Sequence, residues 1–155
     1  MQKTYKICVI GGGETGKTTF VRKLLSGEYT KEYIPTLGCE VHPIKIKGDN
    51  NKWMSFNVWD CSGKEEFRGL VDGYYILSDG FIVFASTEEQ TIEFLDEIPK
   101  DVPTVLVLPK IDEKKEYPKW VETLAKNRNI PFIDISTKEN MNLEKPFYIL
   151  AQNQK

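Results

Sequence analysis

Eight residues near the N-terminus have the types and spacing best suited to chemistry. Positions 11–18 read Gly-Gly-Gly-Glu-Thr-Gly-Lys-Thr and fit the pattern G-x-x-x-x-G-K-[ST], between a short apolar run and a segment with helical periodicity. Glycines let backbone amides come close to a bound group, and a helix N-terminus attracts anions. The spacing therefore predicts a phosphate-binding loop in which Lys17 bridges the β- and γ-phosphates of a nucleotide and Thr18 binds Mg²⁺.

The same loop also fits G-x-G-x-x-G, counted from Gly11, which is the pattern of a dinucleotide-binding turn. A dinucleotide site has no need of a lysine followed by a threonine. We therefore favour the phosphate-binding loop over that alternative and over a purely structural turn. The residues of this loop expected to contact the nucleotide are Gly13, Glu14, Thr15, Gly16, Lys17, Thr18 and Thr19.

A second candidate site is Asp60-Cys61-Ser62-Gly63, at the end of a strand-like run. An acidic residue there can reach a phosphate-bound cation through water, while the glycine amide can meet the γ-phosphate. The pattern D-x-x-G is common by itself, and the alternative is that Asp60 simply caps a strand end. Because a phosphate-binding loop lies upstream, we favour the metal site for Asp60 and the phosphate contact for Gly63.

The elements that must position these residues alternate between strand-like and helix-like segments. The pattern predicts one α/β domain over 1–155, with a mainly parallel six-stranded sheet, one antiparallel hairpin strand and helices on both faces. Residues 28–39 follow neither period and are predicted to form a long loop. The predicted strands are 5–10, 41–47, 52–59, 80–85, 104–108 and 132–135, and the predicted helices are 17–25, 88–98, 119–126 and 143–151.

Composition narrows the function classes. The chain has 155 residues, 40% of them hydrophobic, and a formal charge of −2, which excludes disorder and collagen and provides no general attraction for nucleic acid. We expect no membrane span, because no apolar run approaches about 20 residues. The N-terminus lacks the pattern of a signal peptide, and the three cysteines fit neither a zinc site nor a disulfide framework. We therefore expect an intracellular protein that is not secreted.

Three segments together carry a family resemblance. The loop at 11–18 is followed by YIPTLGCEVHP at 33–43 and FNVWD at 56–60, and in this order the chain resembles a Ras-superfamily small GTPase with a P-loop NTPase G domain. Within that superfamily, these strings, DGYYI at 72–76 and EKPF at 144–147 resemble the Ran family of nuclear-transport GTPases. The resemblance spans nearly the whole chain and is weakest in the segments between the later strands.

The resemblance implies roles for residues outside the loop. Thr36 would join the Mg²⁺ shell in the triphosphate state, Tyr33 would cover the γ-phosphate, and Tyr29 would stack on the base. Residues 28–39 and 60–75 would be the two switches. Segments held by the γ-phosphate and metal should become ordered with the triphosphate and relax with the diphosphate.

Guanine selection in the family depends on two motifs, which correspond here to Pro-Lys-Ile-Asp at 109–112 and Ser-Thr-Lys at 136–138. The carboxylate of Asp112 can accept from the guanine ring NH and amino group, Lys110 can cover the ring, and the Thr137 amide can meet the guanine carbonyl. Proline replaces the family's asparagine at the first position and offers neither a side-chain amide nor a backbone N–H, so we expect weakened, faster-exchanging, guanine-preferring binding. The base-contacting residues implied are Lys110, Asp112, Ser136, Thr137 and Lys138.

The position implied for hydrolysis also departs from the family. Lys64 stands where the family has a glutamine that orients the attacking water, and an ammonium donates hydrogen bonds without accepting them. We therefore expect slow hydrolysis of GTP. The alternative is that Lys64 neutralises charge at the γ-phosphate. The residues assigned to catalysis are Lys17, Thr36, Gly63 and Lys64, and those assigned to the metal are Thr18, Thr36 and, through water, Asp60.

The function expected from this resemblance is a Ran-like switch that binds GTP or GDP with Mg²⁺. Its expected partners are transport-receptor-like effectors, exchange factors and activating factors, and its expected locations are the nucleus and cytoplasm. We expect a monomer without a lipid anchor, because the last residues hold no cysteine, and without the Ran family's acidic C-terminal extension. The alternative is a pseudo-GTPase that competes for the same partners without cycling. A P-loop kinase or ATPase is disfavoured because Thr36 and Asp112 would have no role.

Overall fold

A computed structural model of the protein describes residues 3–12, 17–24, 32–34, 39–60, 75–109, 118–137 and 141–154. The strands within these ranges are β1 (Thr4–Gly11), β2 (Glu32–Ile34), β3 (Cys39–Lys47), β4 (Trp53–Asp60), β5 (Gly80–Phe84), β6 (Thr104–Leu108) and β7 (Phe132–Asp134). The helices are α1 (Lys17–Leu24), α2 (Glu88–Glu97), α3 (Lys119–Arg128) and α4 (Lys145–Gln152).

The strands form one sheet in the order β2-β3-β4-β1-β5-β6-β7. The pairs from β4 to β7 are parallel, whereas β2 pairs antiparallel with β3 and β3 pairs antiparallel with β4. The predicted α/β fold with a mainly parallel sheet, an antiparallel hairpin and helices on both faces is confirmed. The hairpin turns where expected, because Gly48 N–H donates to the Lys52 carbonyl at 2.8 Å and Asn51 adopts a φ of +64°.

The sheet has a seventh strand, β2, where the sequence predicted only loop. It pairs with β3 through Glu32–Val41, Tyr33–Glu40 and Ile34–Cys39. Three residues are too few for alternating hydrophobicity to be visible, and this strand exists because β3 offers it an open edge to pair with. The expectation of a continuous loop over 28–39 is therefore wrong at β2.

Helices pack on both faces of the sheet over two separate cores. One core joins α1 and α4 to alternate residues of the central strands, including Phe20, Phe84 and Phe147. The other joins α2 and α3 to the opposite side of the same strands, with Phe81 and Leu106 among its members. Every residue of β5 is buried, because a central parallel strand is covered on both faces.

Local chemistry sets the helix boundaries. The Thr87 side chain accepts from Gln90 N–H and caps α2, whose first turn carries Glu88 and Glu89 near its positive end. Asn129, with a φ of +55°, ends α3 in the left-handed conformation. Among the described helices, none is both long and apolar enough to cross a membrane.

Candidate functional site

The candidate site lies along one edge of the sheet, where the parallel strands end. The pairs Val9–Asp60, Gly11–Phe84 and Leu108–Asp134 bring the carboxyl ends of β1, β4, β5, β6 and β7 together there. From β1 the chain passes to β2 on one side of the sheet, and from β4 it crosses to β5 on the other side of β1, so the direction of strand order changes beside β1. Open α/β sheets bind ligands at this point of the carboxyl edge.

Two glycines bring the end of β1 close to its neighbours. Gly11 has a φ of +152°, and a Cβ added there would lie 2.9 Å from both the Cβ and the carbonyl oxygen of Phe84. A Cβ added at Gly12 would collide with the Gln90 side-chain amide from α2. The motif predicts a close approach of phosphate, and at Gly11 the packing against the Phe84 backbone also requires glycine.

Lys17 is the first residue of α1, and its side chain folds back over the end of β1. Its Nζ donates to the carbonyl oxygens of Gly11 at 2.5 Å and Gly12 at 2.7 Å, and the residue is only 2% exposed. These bonds fix an ammonium at a helix N-terminus, which is itself favourable to anions. Because a buried positive charge is stabilised by a nearby anion, this arrangement fits the phosphate group that the sequence motif predicts.

Asp60 is the last residue of β4 and lies on the strand beside β1. It is 3% exposed and pairs with Val9 on β1 and Glu40 on β3. A carboxylate at this position fits a metal held through water. Within the described ranges, no three or more His, Cys, Asp or Glu side chains come together as a metal cluster. Mg²⁺ is usually bound by one or two carboxylates together with phosphate and water rather than by such a cluster.

Ser136 and Thr137, predicted to contact the base, follow β7 at the same edge of the sheet. Ser136 is fully buried, and its backbone exchanges hydrogen bonds with that of Met141 at 3.1 and 2.9 Å. Asn142 closes the turn further by donating from Nδ2 to the Asp134 carbonyl at 2.8 Å. The turn is thus held against β7, and β5 and β6 separate β7 from β1, which places the two parts of the site about 14 Å apart.

Asp134 and Gln90 lie at this edge, although the sequence did not single them out. The Oδ1 atom of Asp134 is buried with no hydrogen-bond partner in the described part of the chain, and burial raises the pKa of this carboxyl above its ordinary value. Gln90 lies in the first turn of α2, the helix that follows β5. The signal that could have identified both is their position just at or after a strand end on the carboxyl side.

The predicted site residues fall into three groups. Lys17, Asp60, Ser136 and Thr137 are described and lie at the same sheet edge, and Thr19 is exposed on α1. For Thr18 and Tyr33, the structure describes only the backbone, in α1 and β2 respectively. The residues outside the described ranges, whose assignments stay predictions, are Gly13, Glu14, Thr15, Gly16, Tyr29, Thr36, Gly63, Lys64, Lys110, Asp112 and Lys138.

Comparison with known protein families matches this chain over nearly its whole length. The model described as the Ras family matches residues 6–155. The matched region begins within β1 and includes every described helix, the phosphate-binding loop and both candidate guanine motifs.

Proposed function

The chain belongs to the Ras family of GTP-binding switches, and from this premise we propose that it is a Ran-like guanine-nucleotide switch that hydrolyses GTP slowly. The observation that carries the proposal is the buried Lys17 ammonium, held by the Gly11 and Gly12 carbonyls at the sheet edge where Asp60 ends β4. Proteins of this family bind GTP or GDP with Mg²⁺. The proposal assigns the phosphates to the loop at Lys17 and the base to the end of β7.

In the proposed site, this chain's residues bind and orient the nucleotide. Lys17 attracts the phosphates with a charge already fixed by two hydrogen bonds, so little side-chain entropy is lost on binding. Thr18 and Asp60 would hold Mg²⁺, the latter through water. When bound, Mg²⁺ neutralises negative charge on the phosphates. The sheet anchors both groups. Asp60 is the last residue of β4, and Lys17 donates to the carbonyl of Gly11, the last residue of β1.

Base recognition is proposed to be weaker than is typical of the family. Pro109 follows β6 directly and lacks the N–H and side-chain amide of the usual asparagine. Ser136 and Thr137, with Asp112 and Lys110, retain the remaining guanine contacts that the resemblance implies. We expect faster nucleotide exchange with a retained preference for guanine over adenine.

Slow hydrolysis is proposed from Lys64, which replaces the water-orienting glutamine of the resembled family. A protein that retains GTP would hold its switches in the state that binds effectors. The proposed partners are transport-receptor-like effectors together with exchange and activating factors, and the proposed locations are the nucleus and cytoplasm. These finer assignments derive from the Ran-like strings in the sequence.

A second candidate function is a pseudo-GTPase that competes for the same partners without cycling. The observation favouring it is that both departures from the family, Lys64 and Pro109, fall at the positions for hydrolysis and base binding. Turnover separates the two candidates. Nucleotide binding alone does not separate them, because both candidates keep the phosphate-binding loop.

The deciding experiment identifies the nucleotide that co-purifies with the protein and then follows single-turnover GTP hydrolysis with Mg²⁺, with and without a Ran-type activating protein. Slow conversion of GTP to GDP that the activating protein accelerates supports the switch. Persistent GTP under both conditions supports the competing module. Binding of ATP as tight as that of GTP would contradict both, because each requires guanine preference.

A further inference from the structure

The first turn of α2 packs directly against the phosphate-binding loop. At Gly12, the site that a Cβ would occupy is filled by the Gln90 amide, with Cδ 3.0 Å and Nε2 3.2 Å from that site and Oε1 nearer still. The amide group therefore lies across the Cα of Gly12. Gln90 lies 78 residues after Gly12 in the chain. The pairing of β1 with β5 brings the two residues together.

The Gln90 side chain is itself held in place. Ser86 Oγ donates to Gln90 Oε1 at 2.5 Å, and Gln90 N–H donates to the capping hydroxyl of Thr87 at 3.2 Å. Thr91, fully buried, links the same turn to the end of β5, because its Oγ1 accepts from Ser86 N–H at 3.2 Å and donates to the Thr87 carbonyl at 2.7 Å. The Gln90 backbone is thus fixed by Thr87, and its side-chain amide is fixed by Ser86.

Gly12 also accepts a hydrogen bond from Lys17. The Gly12 carbonyl accepts from Lys17 Nζ at 2.7 Å, so a displacement of Gly12 moves an acceptor of the buried ammonium. The contacts form a continuous series from Ser86 through Gln90 and Gly12 to Lys17. Each contact joins groups that are close-packed or hydrogen-bonded, and close-packed interiors transmit small displacements.

We propose that Gln90 is a positioning residue for the nucleotide site: its amide, held by Ser86, fixes Gly12 and thereby the carbonyl that orients the Lys17 ammonium toward phosphate. This inference rests on the proposed function. It assigns no contact between Gln90 and the nucleotide. A Cβ at Gly12 would take the space that the Gln90 amide fills, so the side chain would have to move away.

A double-mutant cycle tests the proposal with Gly12→Ala, Gln90→Ala and the pair of substitutions together. The readout is dissociation of fluorescent N-methylanthraniloyl-GDP with Mg²⁺, measured beside thermal unfolding of the nucleotide-free protein. Gln90→Ala should speed dissociation by about three- to tenfold, the effect of losing one ordinary positioning contact. Gly12→Ala should have a larger effect, because its methyl group displaces the amide. In the double variant this penalty should be smaller than the sum, since Gln90→Ala removes the collision.

Two further variants separate the features of the Gln90 side chain. Gln90→Met keeps the length of the side chain without its amide, so it should retain part of the packing and lose the bond from Ser86. Ser86→Ala should speed dissociation in the same direction by a smaller factor. Glu89→Ala is the matched control, because Glu89 is exposed on the same turn of α2 and is not among the atoms nearest to Gly12.

The outcomes distinguish the positioning role from the proposed function. If the wild-type protein does not bind the labelled GDP, the proposed function fails, and the positioning role fails with it. If the wild type binds but Gln90→Ala dissociates at the wild-type rate, only the positioning role is wrong. A shift in thermal unfolding with unchanged dissociation would make Gln90 a structural residue alone, and additive effects in the cycle would likewise overturn the proposed contact with Gly12.

Discussion

The two ends of the candidate nucleotide site are built differently. At the phosphate end, Lys17 and Asp60 are both buried, Lys17 at the start of α1 and Asp60 at the end of β4, and backbone carbonyls fix the ammonium. At the base end, Ser136 is held by a backbone bridge to Met141, while Pro109 supplies no donor and Asp134 buries an oxygen without a partner in the described chain. Substitutions at the phosphate end should therefore lower nucleotide affinity, whereas a substitution at the base end can raise it.

This difference also reflects the chemistry of the two ligand groups. A phosphate carries negative charge, which a helix N-terminus and one fixed ammonium can attract in many orientations of the phosphate. A base is recognised by donors and acceptors in a defined pattern, so each missing group lowers selectivity as well as affinity. Substitutions at the phosphate end should accordingly weaken nucleotide binding strongly, whereas substitutions at the base end should change it less and can strengthen it.

The largest expected effect is at Lys17. Lys17→Met removes the charge and both bonds to the loop carbonyls while keeping much of the side-chain volume. We expect affinity for labelled GDP to fall at least about 100-fold, because charge-assisted bonds to phosphate contribute about 1.5 to 3 kcal/mol each. Equilibrium titration measures this loss. Lys23→Met, at an exposed position on the same helix, is the control, and equal losses in the two variants would contradict the assigned role.

The next effect concerns stability at the end of β1. Gly11→Ala places a methyl group 2.9 Å from the backbone oxygen and Cβ of Phe84, at a φ that other residues rarely adopt. We expect the free energy of unfolding in urea to fall by about 2 to 4 kcal/mol. Gly48→Ala is the matched control, because the nearest atom to its added methyl group belongs to the exposed Asn50 side chain, at 3.3 Å, rather than to backbone, and its φ is not in the left-handed region. A Gly11 variant as stable as the Gly48 variant would show that this end of β1 is not tightly constrained.

Much of the fold follows from the local sequence, and its gaps have physical causes. β6 begins and ends where predicted, because an apolar run between loop residues is unambiguous. α3 extends to Arg128, beyond the predicted 126, because Asn129 provides a left-handed cap that the periodicity does not reveal. α4 begins at Lys145, where Pro146 sets the first turn. β2 depends on pairing with β3, which no local pattern contains.

The candidate site divides in the same way. Lys17 and Asp60 could be identified from sequence because each belongs to a motif continuous in the chain and lies at a strand end. The contact of Gln90 with Gly12 could not, since it requires β1 and β5 to be neighbours. The unpartnered oxygen of Asp134 likewise depends on which groups the fold places around it. Motifs identify the groups that bind, and the tertiary structure decides what holds them.

A smaller effect, in the opposite direction to that at Lys17, is expected at Pro109. Pro109→Asn restores an N–H and a side-chain amide at the end of β6, where the resembled family uses both to bind the base and the loop. We expect GDP dissociation to slow by up to about tenfold, which corresponds to one ordinary hydrogen bond. Stopped-flow displacement of labelled GDP by unlabelled GDP measures the rate. Pro109→Ala restores the N–H alone, and a rate equal to that of Pro109→Asn would assign no role to the side-chain amide.

The smallest effect is expected at Asp134, and it tests whether the base end carries a stability cost. Burial holds the pKa of this carboxyl above its ordinary value in the folded protein, so the folded state binds its proton more tightly than the unfolded state does. Its contribution to stability is therefore present below the ordinary pKa of 3.8 and is lost as pH rises through the raised value. Asp134→Asn removes this loss.

We accordingly expect Asp134→Asn to be more stable than the wild type at neutral pH, by less than about 1 kcal/mol, because an amide costs less to bury than a carboxylate. Urea unfolding between the ordinary pKa and neutral pH should show the gain shrink as pH falls, while Asp101→Asn, at an exposed position, should show little change at any pH. A variant that loses stability at neutral pH would mean that the carboxylate makes a favourable contact. The base end would then contain a buried charge that stabilises the folded protein.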